Sequence, residues 1–352
     1  MQTEVLIIGQ GICGTMLSYF LEKEGKDFLV LDDERPHTAT AAAAGIINPV
    51  TGRRYVYTWM IDTIMPFAVD IYTQLGAALQ VEAVQQKSII DFFPSPQMRD
   101  AFTTRLTEDD TFLHSFPDQN HFNQYFNHEF GCGEVRPAYT VSLGLLLAAW
   151  RQYLLQKKQL LTETFDAAAL QVKESGVQYK NITARTIIFC DGVSSAHNPW
   201  FNRLPFSLNK GEALLIRSTA LTNQYIFKKG LMLAPLPVQH TFWVGSNYQW
   251  EFKNEFPSEA FYNNTKMHLQ SWLKVPFEIL AHKAAVRPAT LERRPFVGLH
   301  PHVPAVGILN GMGTKGSSLA PFFANQLAQH LVHGFPIADE ADVKRFSKIL
   351  SK

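Results

Sequence analysis

The chain opens on Glu4-Val5-Leu6-Ile7-Ile8 followed at once by Gly9-Gln10-Gly11-Ile12-Cys13-Gly14, and no other stretch restricts the possible folds as much. A short β-branched run of this kind is the pattern of a strand buried on both faces of a parallel sheet. The glycines turn the chain sharply, let the backbone approach a ligand, and open a helix whose first amides face an anion. Leu17, Phe20 and Leu21 fall on one face of that helix, and Gly25 is placed to end it. Phe28-Leu29-Val30-Leu31 then makes a second strand, with Asp32 at its end and Asp33 behind it. A carboxylate at that point can accept the hydroxyls of an adenosine ribose. Strand, glycines, helix, strand and acid together predict a βαβ dinucleotide-binding unit, with a pyrophosphate at Gly9, Gly11, Ile12 and Gly14. The pattern does not choose between NAD and FAD.

At 352 residues, 46% of them hydrophobic, the chain can bury a core large enough for two domains. The formal net charge is +1 and there is no basic block, which argues against nucleic acid or an anionic membrane as a partner. Cys13, Cys132 and Cys190 form no CxxC pair and no disulfide framework, the usage expected in a reducing cytoplasm. No leader pattern precedes the first strand. The most apolar run, Leu143 to Trp150, is too short to span a bilayer. A cytoplasmic location is therefore expected.

Beyond Asp33 the tract Ala39-Thr40-Ala41-Ala42-Ala43-Ala44-Gly45 favours helix until Gly45-Ile46-Ile47-Asn48-Pro49 breaks it. Two readings stand: close approach of Ala44, Gly45 and Ile46 to a flat ligand, or tight packing of a helix on the sheet. Arg53 and Arg54 put two cations beside this stretch. Residues 58–80 carry helical spacing through Trp59, Ile64, Phe67, Ala68, Ile71, Tyr72 and Leu75. From 86 to 136, strand-like pieces such as Ser88 to Phe93 alternate with Pro-, Asn- and Asp-rich turns, and the aromatics recur without helical period. That predicts a separate, mainly β domain. His114, His121 and His128 match no metal-ligand spacing, so no metal is expected.

Leu143, Leu146, Leu147, Trp150, Leu154 and Leu155 predict a helix within 139–161. Strands follow at Leu160–Phe165 and Ile182–Cys190, the second running into Asp191-Gly192-Val193. Such a turn either carries backbone up to a phosphate or ribose, or is a plain turn. The segments Leu208–Arg217, Ile226–Leu236 and Phe242–Gly245 are again β-like, so the β domain is discontinuous. The last third holds Val286-Arg287-Pro288, a strand at Ala305–Leu309, and Asn310-Gly311-Met312-Gly313-Thr314-Lys315-Gly316. A helix follows, with Phe323, Leu327 and Leu331 on one side and Gly334 at its end, so this loop is a second anion- or ring-binding helix start.

The opening glycine motif with Asp32, the Ala44-Gly45 segment, Gly192 after a strand, Arg287-Pro288, and Gly311-x-Gly313-x-x-Gly316 with Ala320-Pro321 come in a recognisable order. In them the chain resembles the D-amino-acid oxidase superfamily of FAD-dependent oxidoreductases, and its glycine oxidase and sarcosine oxidase branch in particular. The resemblance spans nearly the whole chain. It implies an α/β fold: a Rossmann-like FAD-binding domain from 1–85, 138–207 and 280–352, and a mainly antiparallel-β substrate domain from 86–137 and 208–279. The implied cofactor is non-covalent FAD. The implied reaction is oxidation of the C–N bond of an amino acid or N-substituted amino acid by hydride transfer to the flavin, with oxygen or another acceptor taking the electrons.

By the same resemblance Gly9, Gly11 and Gly14 hold the pyrophosphate and Asp32 the ribose. Gly45 and Ile46 pass beside the isoalloxazine, Phe165 meets the adenine through its backbone, and Gly192 lines the cofactor. Gly311, Met312, Gly313, Thr314, Lys315 and Gly316 contact the flavin. Arg287 matches an arginine that grips the substrate carboxylate, and Lys315 a lysine of similar role in the sarcosine oxidase branch. The chain departs from the family pattern in the alanine tract that replaces a serine near positions 40 to 42, in Val193, in the lack of a histidine near Met312, and in Ala285-Val286 before the arginine. Two alternatives compete: an NAD-dependent dehydrogenase, which leaves the second glycine loop without a role, and a flavoprotein acting on another substrate such as a modified tRNA base.

Overall fold

The structure, a computed structural model, describes residues 1–351. Its first part runs β1 (Gln2–Ile8), α1 (Ile12–Lys23), β2 (Phe28–Asp32), a single turn α2 (Ala39–Ala42), the short strands β3 (Ile46–Ile47), β4 (Val50–Thr51) and β5 (Val56–Tyr57), and α3 (Ile61–Leu79). The middle runs β6 (Val84–Phe92), α4 (Pro96–Glu108), β7 (Leu113–Ser115), β8 (Cys132–Val141), α5 (Leu143–Gln156), β9 (Leu160–Thr162), β10 (Leu170–Lys173), β11 (Gly176–Tyr179) and β12 (Ile182–Phe189). The last part runs β13 (Asn209–Arg217), β14 (Tyr225–Lys229), β15 (Leu231–Pro235), β16 (Thr241–Gly245), α6 (Glu259–Trp272), β17 (Glu278–Arg287), β18 (Phe296–His300), β19 (Val303–Asn310) and α7 (Gly316–His333).

Two large sheets organise these elements. In the first, β9, β2, β1, β12 and β19 lie side by side and parallel, with β11 and β18 added antiparallel to them and β10 antiparallel to β11. The chain leaves β1 for β2 on one side and returns to β12 on the other, so Ile8 faces both Leu31 and Phe189. The carboxyl ends of β1 and β12 are thus a topological switch point, where open α/β sheets take their ligands. Alternation along β1 fills both faces: Val5 and Ile7 join one apolar core with Leu17 and Leu327, Leu6 and Ile8 a second with Phe189 and Phe201.

The second sheet has the order β17-β13-β16-β15-β14-β6-β8-β3, with β7 on β8. Every pairing in it is antiparallel except β14 with β6. Its own aromatic core gathers Phe92, Phe122, Phe126, Phe227 and Trp272, the last from α6.

Several expectations need correction. The second sheet keeps β8 to Val141 and β17 from Glu278 to Arg287, so the boundaries expected at 138 and 280 fall inside strands. Ladder hydrogen bonds carry each strand to its end, where local composition suggested a change of domain. The segment 86–137 contains helix α4, started by Ser95 Oγ accepting from Met98 N–H at 3.4 Å, with Pro96 in its first turn. It was hidden because it buries only Phe102 and so shows no apolar stripe. The alanine tract makes only the one turn α2, none of whose residues is buried, so propensity alone does not extend it.

Candidate active site

Gly9 leaves β1 with φ +96°, and its N–H donates to the Leu31 carbonyl at 2.8 Å. A Cβ on Gly9 would stand 2.7 Å from the Cys190 carbonyl oxygen, and one on Gly14 only 1.9 Å from that of Gly9. Gly9 is required by its left-handed φ and by the Cys190 backbone at the end of β12, Gly14 because α1 begins hard against the Gly9 turn. Gly11 is its N-cap, and the Ile12 N–H donates to Thr40 Oγ1 at 3.3 Å.

The second glycine loop comes to the same place. Gly311 and Gly313 have φ +79° and +55°, and a Cβ on Gly311 would lie 2.7 Å from Thr290 Cγ2. Gly316 opens α7 at a point where a Cβ would be 3.4 Å from Ile12 Cγ2. The amino ends of α1 and α7 therefore stand side by side. First-turn amides of both helices lack intrahelical acceptors, and both helix dipoles present their positive ends there. Gly192, at φ +60°, is tied in by Asn310, whose Nδ2 donates to the Gly192 carbonyl and to Ser195 Oγ, each at 2.8 Å. Asn310 Oδ1 in turn accepts from Gly311 N–H at 2.8 Å. Beside them Asp191 accepts from Ser195 Oγ, and burial pushes its carboxyl pKa up to about 6.

Asp32 ends β2 half-buried. Its Oδ2 accepts from Gln10 N–H at 2.8 Å, and its Oδ1 from Glu34 N–H at 2.9 Å and Arg151 Nη1 at 2.8 Å. Arg151 and Gln10 were absent from the sequence-based site: Arg151 sits 119 positions from its partner on a helix that reads as purely apolar. Asp33 pairs with Arg35 at 2.7 Å and accepts from Thr164 Oγ1 at 3.2 Å. The Phe165 ring stacks on Tyr179 at 5.1 Å in the apolar core under the first sheet. Gly45, at φ +73°, lies so close to β8 that a Cβ would stand 2.0 Å from the Val141 carbonyl oxygen. Ala44 is buried before it, and Ile46 pairs with Thr140 in the second sheet. Trp243 Nε1 and Lys283 Nζ reach the carbonyls of Ala42 and Ala41 at 2.9 and 3.2 Å, so this tract is fastened to β16 and β17 of the second sheet.

Arg287 ends β17 opposite Asn209 of β13. Nη1 donates to Asn209 Oδ1 at 2.7 Å and to the Asn247 carbonyl at 3.3 Å, and Nη2 donates to Ser246 Oγ at 2.7 Å. The guanidinium carbon lies 5.2 Å from the ring centroid of the exposed Tyr248. All these partners are neutral, and among the described residues no carboxylate lies within 4.0 Å of the guanidinium. Burial draws its pKa down from the ordinary arginine range. Gly313 N–H donates to the Pro288 carbonyl at 3.3 Å, which sets the Arg287 strand end against the Gly311 loop. Lys315 in that loop is half-buried, again without an acid partner among the described residues, and burial with Arg294 and Arg293 lowers its pKa. Thr314 is exposed, and Met312 is buried. Arg53 and Arg54 are exposed on the turn between β4 and β5. No group of three or more His, Cys, Asp or Glu suited to a metal ion occurs among the described residues.

Two helix starts meeting beside Gly9, Gly14 and Gly311, none of which has room for a Cβ, with an acid at the end of β2, fit an extended dinucleotide whose pyrophosphate and ring system need close backbone approach. The fold and this site define a dinucleotide-binding oxidoreductase with a second, substrate-facing sheet. The model of the DAO family, FAD dependent oxidoreductase, matches residues 4–330, and the chain belongs to that family. Its cofactor is FAD, which sets aside the NAD reading. The fold is similar to that of glycine oxidase from Geobacillus kaustophilus, with TM-score 0.80, 18% identity and 98% of each chain covered. Iminodiacetate oxidase from Chelativorans sp. BNC1 matches with TM-score 0.76, 18% identity and 98% of each chain covered. L-proline dehydrogenase from P. horikoshii matches with TM-score 0.75 and 14% identity over 99% of this chain and 98% of that one. No helix among the described residues is long and apolar enough to cross a membrane.

Proposed function

We propose that this FAD-dependent oxidoreductase oxidises the C–N bond of an amino acid or N-substituted amino acid, with Arg287 anchoring the substrate carboxylate. The observation that carries this reading is a half-buried guanidinium held by Asn209, Ser246 and Asn247 and by no acid. Neutral partners orient the fork without neutralising it, which leaves a directed positive charge for an anionic ligand. Non-covalent FAD, when bound, supplies the acceptor for the hydride lost from the substrate carbon. The residues that would hold it are Gly9, Gly11, Ile12 and Gly14 at the pyrophosphate, Asp32 at the ribose, and Gly311 to Gly316 with Gly45 at the ring. The positive end of α7 suits a ring that gains negative charge.

The rest of the task falls to orientation. A neutral amine needs no strong base to lose hydride, so a two-point grip on the carboxylate supplies the alignment. Lys315 adds a second cation on the adjoining loop and is proposed to share the substrate's negative charge. The test begins with acid precipitation, which should release the flavin, followed by a screen of amino acids and N-substituted amino acids with an electron acceptor. Anaerobic single-turnover reduction then compares the wild type with Arg287→Ala. Removing the anchor should raise KM and slow flavin reduction together, by about 2–5 kcal/mol in kcat/KM, with a nearly normal flavin spectrum. Arg287→Lys should recover part of this, since an ammonium makes no planar two-point contact. Wild-type reduction and saturation in Arg287→Ala would transfer the role to Lys315.

A further inference from the structure

Arg151 is 7% exposed, yet its side chain does not serve the packing of α5, which Leu146, Trp150 and Leu154 accomplish. Its guanidinium is directed at the end of β2 and the polar groups around it. Nη1 donates to Asp32 Oδ1 at 2.8 Å and to Gln10 Oε1 at 3.1 Å, and Nη2 donates to Thr162 Oγ1 at 3.1 Å, with Glu34 Oε2 at 3.4 Å. One side chain thereby joins α5 to the ends of β2 and β9 and to Gln10 in the first glycine turn. A carboxylate offers about four acceptor positions, and three on Asp32 are taken, two on Oδ1 and one on Oδ2.

We propose that Arg151 is a positioning residue for FAD: it locks the Asp32 carboxylate so that the remaining acceptor on Oδ2 meets the adenosine ribose. It also supplies a charge that the site needs. Asp32 and the FAD pyrophosphate are both anions gathered at the start of α1, and a buried guanidinium on Asp32 offsets their mutual repulsion. For packing alone, an apolar side chain of similar volume would serve as well as a buried ion pair. The charged choice therefore points to the ligand.

The experiment uses holoenzyme of the wild type, Arg151→Met, Arg151→Lys, Asp32→Asn and the double variant Asp32→Asn/Arg151→Met. Release of FAD is followed by recovery of flavin fluorescence on dilution, and binding of FMN, which lacks the adenosine, by quenching at high concentration. Arg151→Met should weaken FAD about 10- to 100-fold, the scale of one hydrogen bond to a charged group, and weaken FMN, which keeps one phosphate but offers Asp32 no ribose, far less. Arg151→Lys should recover part of the loss. The double variant should bind FAD no more weakly than the weaker single variant, because both act on one contact. Additive losses, or equal weakening of FAD and FMN, would make Arg151 a structural residue and overturn the proposal. A lower thermal midpoint with unchanged FAD release would do the same. If Arg151→Met does not fold, the ratio of FAD to FMN affinity in Arg151→Lys decides: a fall supports the proposal, and an unchanged ratio overturns it.

Discussion

The guanidinium of Arg287 lies directly over Gly211, so closely that a Cβ on Gly211 would stand 1.7 Å from Arg287 Nη2. Gly211 is in β13, paired with Ala285 two register steps from the Asn209–Arg287 pair. A glycine in the middle of a strand weakens it, and here the missing side chain makes the room in which the guanidinium lies flat.

Gly211→Ala should accordingly displace the Arg287 head group while leaving the fold nearly intact, because the clash is with the end of a long side chain. The expected result is a higher KM and a kcat/KM reduced by about 1–3 kcal/mol, the scale of one overpacked methyl group. In an Arg287→Ala background the same change should cost little more. Steady-state kinetics of the four proteins measures the coupling, and additive losses would show that Gly211 acts elsewhere.

Gly14→Ala is expected to be severe. The added carbon would stand 1.9 Å from the Gly9 carbonyl oxygen, a backbone atom that cannot swing aside. Either α1 shifts or the Gly9 turn opens, and both disturb the pyrophosphate site. The flavin-to-protein ratio on purification should fall sharply, and stability should fall by about 1–3 kcal/mol or more. Gly144→Ala is the matched control: nothing lies within 4 Å of its Cβ position on α5, so it should stabilise by about 0.5–1 kcal/mol. Thermal unfolding of both variants tests the contrast.

Asp191 gives the fold a dependence on pH with a defined sign. Burial raises its native pKa to about 6, above the unfolded value of 3.8, so the folded protein holds the proton more tightly. Its contribution to stability is therefore greatest below the unfolded pKa, declines between pH 4 and 6, and stays low above that, by at most about 3 kcal/mol. Asp191→Asn keeps an acceptor for Ser195 Oγ without the titration. Melting curves at pH 4 and pH 7.5 with FAD in fixed excess should show a smaller drop in the variant than in the wild type.

Lys315 should lose its charge at lower pH than a lysine in water, because burial and the neighbouring Arg294 and Arg293 favour its neutral form. If it shares the substrate carboxylate with Arg287, KM should rise as pH climbs through that lowered pKa. Lys315→Met should have a raised KM already at neutral pH and lack this alkaline limb. A pH profile of KM for the best substrate found, in both proteins, checks the assignment; identical profiles would remove Lys315 from the substrate site.

Much of the fold was legible because its signals are local. The βαβ unit of residues 4–32 is written in neighbouring residues, since a buried strand needs a continuous apolar run and a tight turn needs glycine. The Gly311–Gly316 loop and the stripe from Leu143 to Leu155 are of the same kind. Helix α4 escaped because a surface helix that buries one phenylalanine leaves no period to read.

By itself the sequence determined the two glycine turns, the strand and helix behind each, and the acid at position 32. Each depends on φ, ψ and hydrophobic spacing within about ten residues. The meeting of the two helix starts at Ile12 and Gly316 was decided by the tertiary structure alone, as were the grip of Arg151 on Asp32 and the bridge of Asn310 to Gly192. So was the placing of Arg287 over Gly211 among neutral partners. Those contacts join residues 41 to 304 positions apart, where no local pattern carries information. The first three exist because parallel strands order themselves around a switch point and draw distant loops to one edge of the sheet, and the last because β13 and β17 pair antiparallel in the second sheet.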